Sequence, residues 1–343
     1  MALLDFNGFD HWETSPNPQL MPNFATSTSA GFQLGTGLLG GKSLQSGAST
    51  RTVRWNNGST FSTLIVGFRF KTGTGTATTS DLLWFVDAAT TQCGLSINTA
   101  NKLIFWRGTN ATVLATGSTV LSANSWYFIE AKITFHNSTG AYTIKLGGAT
   151  ELSGSGVDNC ATANNQADTI NIPLINGGVS SQMTDLDDLY VSDTTGSSPY
   201  NDLLGVIRVE TAFVTSNDSV QWTASASTNA SCVDETSVND DTDYNSDATA
   251  GHIDLFNHGS LSSTPVTIFS VAIKSRARKD DVTARTYRNK LKSSSTTSDG
   301  GTVSLDTTYK WIADKFDNDP ATGSAWANAA AVNATKIGYE VVS

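Results

Sequence analysis

The chain has 343 residues, and its composition favours β-structure over helices. Serine contributes 40 residues and threonine 47, about a quarter of the chain, whereas charged residues make up only 15%. Such a composition is typical of strands and turns, so a helical bundle or a coiled coil is excluded. The net charge of −10 opposes contact with nucleic acid and with anionic membranes, and we expect neither partner.

Three further absences narrow the class of protein. No stretch approaches the roughly 18 apolar residues of a membrane helix, so we expect no membrane insertion. The first residues lack the basic and apolar segments of a signal peptide, which predicts that the protein is not exported by that route. Cys93, Cys160 and Cys232 are odd in number and widely spaced, so we expect free thiols rather than a disulfide framework or a zinc site.

Short apolar and aromatic runs recur along the first half of the chain, between clusters of Gly, Asn, Ser and Thr. Runs of strand length occur at 63–70, 82–86, 102–106, 126–133, 141–146 and 188–191. This spacing of strands and turns predicts an antiparallel sandwich. The aromatic residues expected in its core are Phe68, Phe70, Trp84, Phe105, Trp126 and Phe128.

A turn-rich stretch at 193–200 ends this pattern, and we predict a domain boundary there, with domains at 1–198 and 199–343. The second domain has its own strand candidates, at 206–213, 219–224, 252–256, 266–278, 282–291, 302–311 and 336–342. Helical propensity is confined to 328–334 and to part of 305–316. The second domain is therefore also predicted to be mostly β.

Four features of the first domain follow one another in a recognisable order. They are Phe6–Asp10, the strand start Ser125–Glu130, the glycine-flanked hairpin Gly140–Gly148 and the closing Asp187–Val191. In this order they resemble the concanavalin A-like jelly rolls of the laminin-G type. The resemblance implies an all-β protein, in which a concanavalin A-like jelly-roll sandwich is followed by the second, mostly β domain.

Other segments extend the resemblance over nearly the whole chain, namely Thr194–Gly196, Asn201–Gly205, Asn239–Tyr244 and Asp319–Trp326. With them, the chain is similar to a family of structural proteins of tailed bacteriophages. That similarity implies a non-enzymatic component of the virion exterior, in the tail or its fibres or as a capsid decoration. The protein would be made in the cytoplasm of the bacterial host, contact other virion proteins and bind a host surface glycan.

Two alternatives remain open, and the first is a carbohydrate-binding module or a polysaccharide-active enzyme. Glucanases on a jelly roll use two glutamates and an aspartate that alternate along one strand. The nearest cluster, Asp185, Asp187 and Asp188, lacks both glutamates and is expected at a turn or strand edge. No serine or cysteine lies in a nucleophile motif, so no catalytic residue is assigned. The second alternative is an assembly factor that is absent from the mature particle.

One segment of the second domain resembles a calcium-binding loop. Oxygen-bearing side chains alternate at Asp241, Asp243, Asn245 and Asp247, as a hard cation requires. Ser246 and His252, however, stand where an EF-hand needs glycine and glutamate. These four residues are the candidate Ca²⁺ ligands, a solvated acidic loop or a salt-bridge partner is the alternative, and no other cofactor is expected.

Charge is segregated in the second domain. Residues 209–273 carry nine acids and no lysine or arginine, whereas residues 274–292 carry eight basic residues. Opposite charges in adjacent segments favour pairing, either within one subunit or between neighbours in a homo-oligomer. We predict a basic hairpin that turns at 279–281, with subunit contacts from Lys274, Arg276, Arg278, Arg285 and Arg288.

Two of the tryptophans stand beside polar turns rather than among apolar neighbours. They are Trp55, followed by Asn56–Gly58, and Trp106, followed by Arg107–Gly108. Because the apolar face of a pyranose packs on an aromatic ring, these two residues are the predicted glycan contacts.

Overall fold

The chain forms two compact units that consist mainly of antiparallel β-sheet. A computed structural model describes residues 3–11, 22–26, 31–47, 50–109, 112–176 and 182–343. Unit 1 ends at Val209, and unit 2 extends from Glu210 to Ser343. The predicted all-β class is confirmed, because α-helix in these ranges is limited to the five residues of α1 (Ala329–Asn333). Within the same ranges, no helix is long and apolar enough to cross a membrane.

Unit 1 consists of two antiparallel sheets. Its strands are β1 (Leu3–Asn7), β2 (Phe24–Thr26), β3 (Phe32–Thr36), β4 (Lys42–Ser46), β5 (Arg51–Trp55), β6 (Thr63–Thr72), β7 (Ser80–Asp87), β8 (Thr90–Ile97), β9 (Lys102–Arg107), β10 (Thr112–Val120), β11 (Trp126–Thr134), β12 (Gly140–Leu146), β13 (Ala149–Val157), β14 (Thr169–Leu174) and β15 (Met183–Ser192). Among the described residues, the eight-stranded sheet has the order β13-β12-β11-β6-β15-β4-β3, with β1 also paired to β15. The seven-stranded sheet has the order β10-β9-β8-β7-β14-β5-β2.

Aromatic side chains from both sheets meet in the core of unit 1. The rings of Phe105 on β9 and Tyr142 on β12 have centroids 4.4 Å apart. Phe85 on β7 meets Phe135, just after β11, at 5.4 Å. Burial of apolar surface stabilises such a core by about 25 cal/mol per Å². The two sheets therefore pack face to face as a sandwich.

The predicted core residues divide between this core and the outer faces of the sheets. Phe68, Phe70 and Phe105 are fully buried, as predicted, and Phe128 is buried as well. Trp84 and Trp126 are only partly buried, so their prediction as core residues is wrong. Because side chains alternate along a strand, each lies on the face opposite to its core-facing neighbour, Phe85 or Tyr127.

The connecting segment 199–209, here called the strap, covers part of the eight-stranded sheet. Its apolar side chains Leu203, Leu204 and Ile207 pack against a buried cluster formed by Leu3, Ile65, Phe128 and Tyr190. The backbone of the strap is held as well, since Gly205 donates to Glu130 Oε1 at 2.8 Å and Val209 to Asp188 Oδ1 at 2.8 Å. The division between units therefore follows Val209 rather than residue 198, because the strap completes the burial of this cluster.

Unit 2 is built around a six-stranded antiparallel sheet. Its strands are β16 (Val214–Ser219), β17 (Thr223–Ala224), β18 (Asn245–Ser246), β19 (Ile253–His258), β20 (Val271–Ala277), β21 (Thr286–Ser293), β22 (Thr296–Asp299), β23 (Val303–Ser304), β24 (Lys310–Phe316) and β25 (Lys336–Val341). The main sheet has the order β16-β19-β25-β21-β22, with β23 on β21, and the pairs β17-β18 and β20-β24 are separate. Two apolar clusters stabilise the unit, one around Phe256 and Tyr339 and one around Leu291 and Trp326.

The two helical expectations had different outcomes. The helix expected at 328–334 is present as α1, and Asn328 caps it, because its side chain accepts a hydrogen bond from the Ala331 N–H at 3.0 Å. The segment 305–316 instead contains β24, whose pairing with β20 overrides its helical propensity.

Candidate functional site

Neither predicted glycan contact presents a ring to solvent. Trp55 and Trp106 are each about 1% exposed. Trp55 faces the core, where its ring lies 6.1 Å from that of Phe61 and its Nε1 donates to Asp5 Oδ2 at 3.4 Å. The prediction that these two rings contact a glycan is therefore wrong, because an adjacent polar turn determines neither which face of a strand a side chain occupies nor how deeply it is buried.

A third tryptophan, Trp84, lies on the outer face of the seven-stranded sheet and is only partly buried. Strand pairing aligns it with four other residues in a row across five strands, which we call the Trp84 row. From β5 to β9 the row consists of Arg54, Asn171, Trp84, Gly94 and Trp106. Arg54 is exposed and Asn171 partly buried, so one end of the row is polar and open to solvent.

The other end of the row is a rigid, buried support. The Trp106 indole lies over Gly94, whose missing side chain leaves the space that the ring fills. Trp106 Nε1 donates to Ser96 Oγ at 2.6 Å, and Ser96 Oγ donates to Asp81 Oδ1 at 2.5 Å. These two hydrogen bonds fix the orientation of the buried indole beside Trp84.

We expect Gly94→Ala to lower the free energy of unfolding of the protein by about 1 to 3 kcal/mol, the usual cost of overpacking. An added β-carbon would overlap both the Trp106 ring and the backbone carbonyl of Leu83. Denaturant titration measures the change, and Gly58→Ala, at a position with open space around it, controls for the loss of a glycine. Because Gly58 has a φ of +82°, its own substitution is expected to cost about 1 kcal/mol. A smaller loss for Gly94→Ala than for Gly58→Ala would contradict the packing described here.

The Trp84 row combines partly exposed hydrocarbon with hydrogen-bonding groups. Trp84 Nε1 is buried and has no hydrogen-bond partner among the described residues, so the exposed part of its side chain is hydrocarbon. Arg54 offers guanidinium N–H donors and also donates to Thr169 Oγ1 at 3.2 Å. Asn171 offers both a donor and an acceptor. None of the five residues in the row carries a carboxylate.

The carboxylates that came nearest to a hydrolase motif lie on the other sheet and are buried. Asp185, Asp187 and Asp188 belong to β15, a strand inside the sheet, so their prediction as turn or edge residues is wrong. Asp185 accepts hydrogen bonds from Ser43 Oγ at 2.8 Å and from Gln45 Nε2 at 2.6 Å. These bonds and the burial leave the carboxylates structural partners rather than groups open to a substrate.

Asp187 and Asp188 differ sharply in their surroundings. Asp188 forms an ion pair with Arg69, with 2.7 Å between Oδ2 and Nε. Burial, followed by the charge of neighbouring Asp188, raises the pKa of Asp187 from 3.8 to about 8. Asp187 is therefore largely protonated at neutral pH, while Asp188 is paired with the arginine.

The three thiols are buried and free. Burial, followed by the charges of Asp158 and Asp87, raises the pKa of Cys160 to about 12. Burial also raises the pKa of Cys93 well above its ordinary value. Because the thiolate is the reactive form, these two side chains are unsuited to nucleophilic chemistry.

The four candidate calcium ligands do not converge on one point. Asp241 accepts from Arg278 Nη2 at 2.8 Å, and Asp247 pairs with His252 at 2.8 Å. Asp243 accepts from Asn239, whereas Asn245 donates to the Tyr339 hydroxyl at 2.7 Å. In the described part of the chain, no three acidic, histidine or cysteine side chains form a group suited to a metal ion. The calcium prediction is wrong because each candidate has its own protein partner.

The predicted basic hairpin is also absent. β20 pairs with β24, so Lys274 lies opposite Ala313, and β21 pairs with β25 instead. The arginines form ion pairs within the unit. Arg276 pairs with Asp240, Arg278 with Asp241, Arg285 with Asp281, and Arg288 with both Asp299 and Glu340. Of the two kinds of pairing left open by the sequence, the structure contains the one within a subunit.

Comparisons with known proteins give only distant likenesses. No family model and no curated protein matches the chain. Domain 4 of AbnA, a GH43 extracellular arabinanase from Geobacillus stearothermophilus solved with arabinotriose, is 14% identical, with a TM-score of 0.40 over 56% of this chain and 92% of that one. An alginate lyase, Aly36B, solved with an alginate trisaccharide, is 10% identical, with a TM-score of 0.40 over 55% and 97%. Cip1, a cellulose-induced protein, is 12% identical, with a TM-score of 0.37 over 55% and 96%.

Proposed function

We propose that the protein is a non-catalytic carbohydrate-binding protein and that the Trp84 row is its binding surface. The observation that carries this proposal is the partly exposed hydrocarbon of Trp84 in line with Asn171 and Arg54 on neighbouring strands. A saccharide has an apolar face of C–H groups and a rim of hydroxyls. The Trp84 ring can pack against the apolar face, and the Asn171 amide and the Arg54 guanidinium can form hydrogen bonds with the hydroxyls.

The spacing within the row fits a short saccharide. Neighbouring strands lie about 4.8 Å apart, so Arg54 and Trp84, two strands apart, are separated by about 10 Å along the sheet. Asn171 stands between them. A sugar ring stacked on Trp84 would therefore have hydroxyls within reach of Asn171, and the next ring would approach Arg54.

The rigidity of the support favours binding. The hydrogen bonds from the buried Trp106 through Ser96 to Asp81 hold this end of the row in one arrangement. A ligand that meets a preformed surface loses less free energy in ordering side chains.

The proposal predicts that Trp84→Ala weakens glycan binding about tenfold or more, because it removes the stacking ring. The ligand is found by applying the full-length protein to a glycan array, and its affinity is then measured by isothermal titration calorimetry. Arg54→Ala should weaken binding less, since it removes hydrogen bonds at the exposed rim.

A matched control is Trp126→Ala, which removes a partly buried indole from the outer face of the other sheet. It should leave the affinity unchanged. Equal affinities of Trp84→Ala and the unaltered protein would contradict the proposed surface, and the absence of any bound glycan would contradict the proposed function.

The absence of enzymatic activity is part of the proposal. It is supported by the burial of Asp185, Asp187 and Asp188 and by the lack of a carboxylate in the Trp84 row. Incubation of the protein with the glycan that it binds should release no new reducing ends. Release that is abolished by Asp187→Asn would overturn this part.

The place of the protein in a phage virion stays a prediction from the sequence resemblance. It is tested by quantitative mass spectrometry of purified particles. Hundreds of copies in each particle would indicate a capsid decoration, and multiples of three or six would indicate a tail component. Absence from the particle would instead support the assembly-factor alternative.

A further inference from the structure

Unit 2 carries a groove of about 480 Å³ that the Trp84 row does not involve. Three segments line it: the 3₁₀ turn at Asp240–Thr242, the end of β20 with Arg276 and Arg278, and residues 307–309 before β24. The groove is open to solvent. It brings together two aspartates, two arginines and a tyrosine that are far apart in the sequence.

The side chains of the groove hold one another in fixed positions. Arg276 makes two hydrogen bonds to Asp240, at 2.6 and 2.9 Å. Asp241 Oδ1 accepts both from Arg278 Nη2 at 2.8 Å and from the Tyr309 hydroxyl at 2.9 Å. Such paired, planar groups lose little side-chain freedom when a ligand binds.

An aromatic ring lies at the centre of this network. The guanidinium carbons of Arg276 and Arg278 lie 5.3 and 5.0 Å from the centroid of the Tyr309 ring. The Arg276 guanidinium carbon also lies 5.8 Å from the centroid of the Trp311 ring. Cation–π contacts of this kind fix the ring in place.

The charges of the groove compensate one another. Arg276 and Arg278 are each paired with an aspartate, so the lining has no excess positive charge to attract an anion. The same pairing opposes a metal ion, since both carboxylates already face guanidinium groups. What the groove offers is closely spaced N–H donors and carboxylate acceptors around an aromatic edge, with the hydroxyls of Thr307 and Thr308 on its rim.

We propose that this groove is a second saccharide-binding site that recognises a neutral sugar. Adjacent sugar hydroxyls both donate and accept hydrogen bonds, so they match a guanidinium and a carboxylate that lie side by side. The exposed carboxylate of Asp241 and the guanidinium of Arg278 are the polar contacts, and Tyr309 supplies apolar surface. This inference stands on unit 2 alone and does not depend on the Trp84 row.

The test uses the full-length protein and the neutral probes maltotriose, cellotriose and mannotriose in saturation-transfer NMR. In a Trp84→Ala background, at least one probe should still bind. Adding Tyr309→Ala or Arg278→Gln to that background should weaken the remaining binding at least tenfold. Arg285→Gln is the matched control, because Arg285 is a similarly exposed arginine paired with Asp281 outside the groove.

Two results would overturn the second site. One is complete loss of probe binding in Trp84→Ala alone, which leaves the Trp84 row as the sole site. The other is residual binding that Tyr309→Ala and Arg278→Gln do not change. If Trp84→Ala has no effect and Tyr309→Ala abolishes binding, the groove is supported and the Trp84 row fails. Tyr309→Phe keeps the ring and loses only the hydroxyl. If it folds normally and weakens probe binding less than Tyr309→Ala does, the ring itself contacts the sugar.

Discussion

Replacement of Arg69 by methionine is expected to lower the free energy of unfolding by about 3 to 5 kcal/mol, among the largest effects of any substitution considered. The Arg69–Asp188 pair is almost fully buried, with side-chain exposures of 8% and 3%. Arg69 also donates to the carbonyl of Ile207 in the strap at 3.3 Å. Methionine fills much of the volume but leaves the Asp188 carboxylate buried without its cation.

The control for Arg69→Met is Lys132→Met. Lys132 also pairs with a residue of the strap, Asp202 at 2.9 Å, but this pair is open to solvent, with side-chain exposures of 30% and 66%. Exposed pairs contribute at most about 1 kcal/mol, so this change should have a small effect in the same denaturant titration. Similar losses for the two variants would show that the buried pair does not hold the strap.

The second large effect concerns pH, and we expect Asp187→Asn to remove a pH dependence of stability between about pH 4 and pH 8. In the folded protein the pKa of Asp187 is raised to about 8, mainly by burial and secondly by Asp188. In the unfolded chain its pKa is near 3.8. The folded state thus holds a proton that the unfolded state has released, and its stability falls as the pH rises through this window.

Asp187 alone changes the free energy of unfolding by at most about 1.4 kcal/mol per pH unit. This dependence disappears above the pKa of Asp187 in the folded protein. Asparagine keeps the shape of the protonated acid and cannot ionise, so the variant should be more stable than the unaltered protein at pH 8. Urea titrations of both proteins at pH 5, 6, 7 and 8 measure the difference. A gap that does not widen as the pH rises would contradict the assignment.

The strands with aromatic runs were predictable from the sequence, and others were not. Thr63–Thr72 and Trp126–Thr134 combine apolar residues with strand length, and both strands are present where expected. Thr112–Val120 and Ala149–Val157 escaped prediction because they are edge strands without a continuous apolar run, exposed along much of their length. Their stability comes from pairing with an inner strand rather than from a hydrophobic pattern.

The proposed binding surface was harder to predict, because it depends on register. A shift of one residue exchanges the two faces of a strand. In the sequence, Trp84 stands in an apolar run and Trp106 stands before a turn. Only the pairing of β7, β8 and β9 shows that both lie on the outer face of the sheet, on either side of Gly94. Gly94 was the one residue in the sequence that could have indicated this arrangement, since a glycine within a strand often marks the close approach of another group.

The segregated charges predicted pairing, which the structure contains within unit 2, but they did not predict its geometry. Long-range pairs such as Arg276 with Asp240 require β20 to lie beside the 3₁₀ turn, which local sequence does not encode. The same holds for Asp188, whose left-handed backbone (φ +49°) accompanies a break in the pairing of β15 with β6. Both arrangements depend on tertiary packing rather than on local propensity.

The central claim, that a saccharide stacks on Trp84, is tested most directly by fluorine NMR of protein labelled with 5-fluorotryptophan. The Trp84 resonance is assigned from its disappearance in Trp84→Phe, and the buried Trp106 and the distant Trp126 serve as internal references. The glycan identified on the array should shift the Trp84 resonance in a saturable way, with the affinity measured by calorimetry, and should leave Trp126 unmoved. Saturable binding that leaves the Trp84 resonance unchanged would contradict the claim.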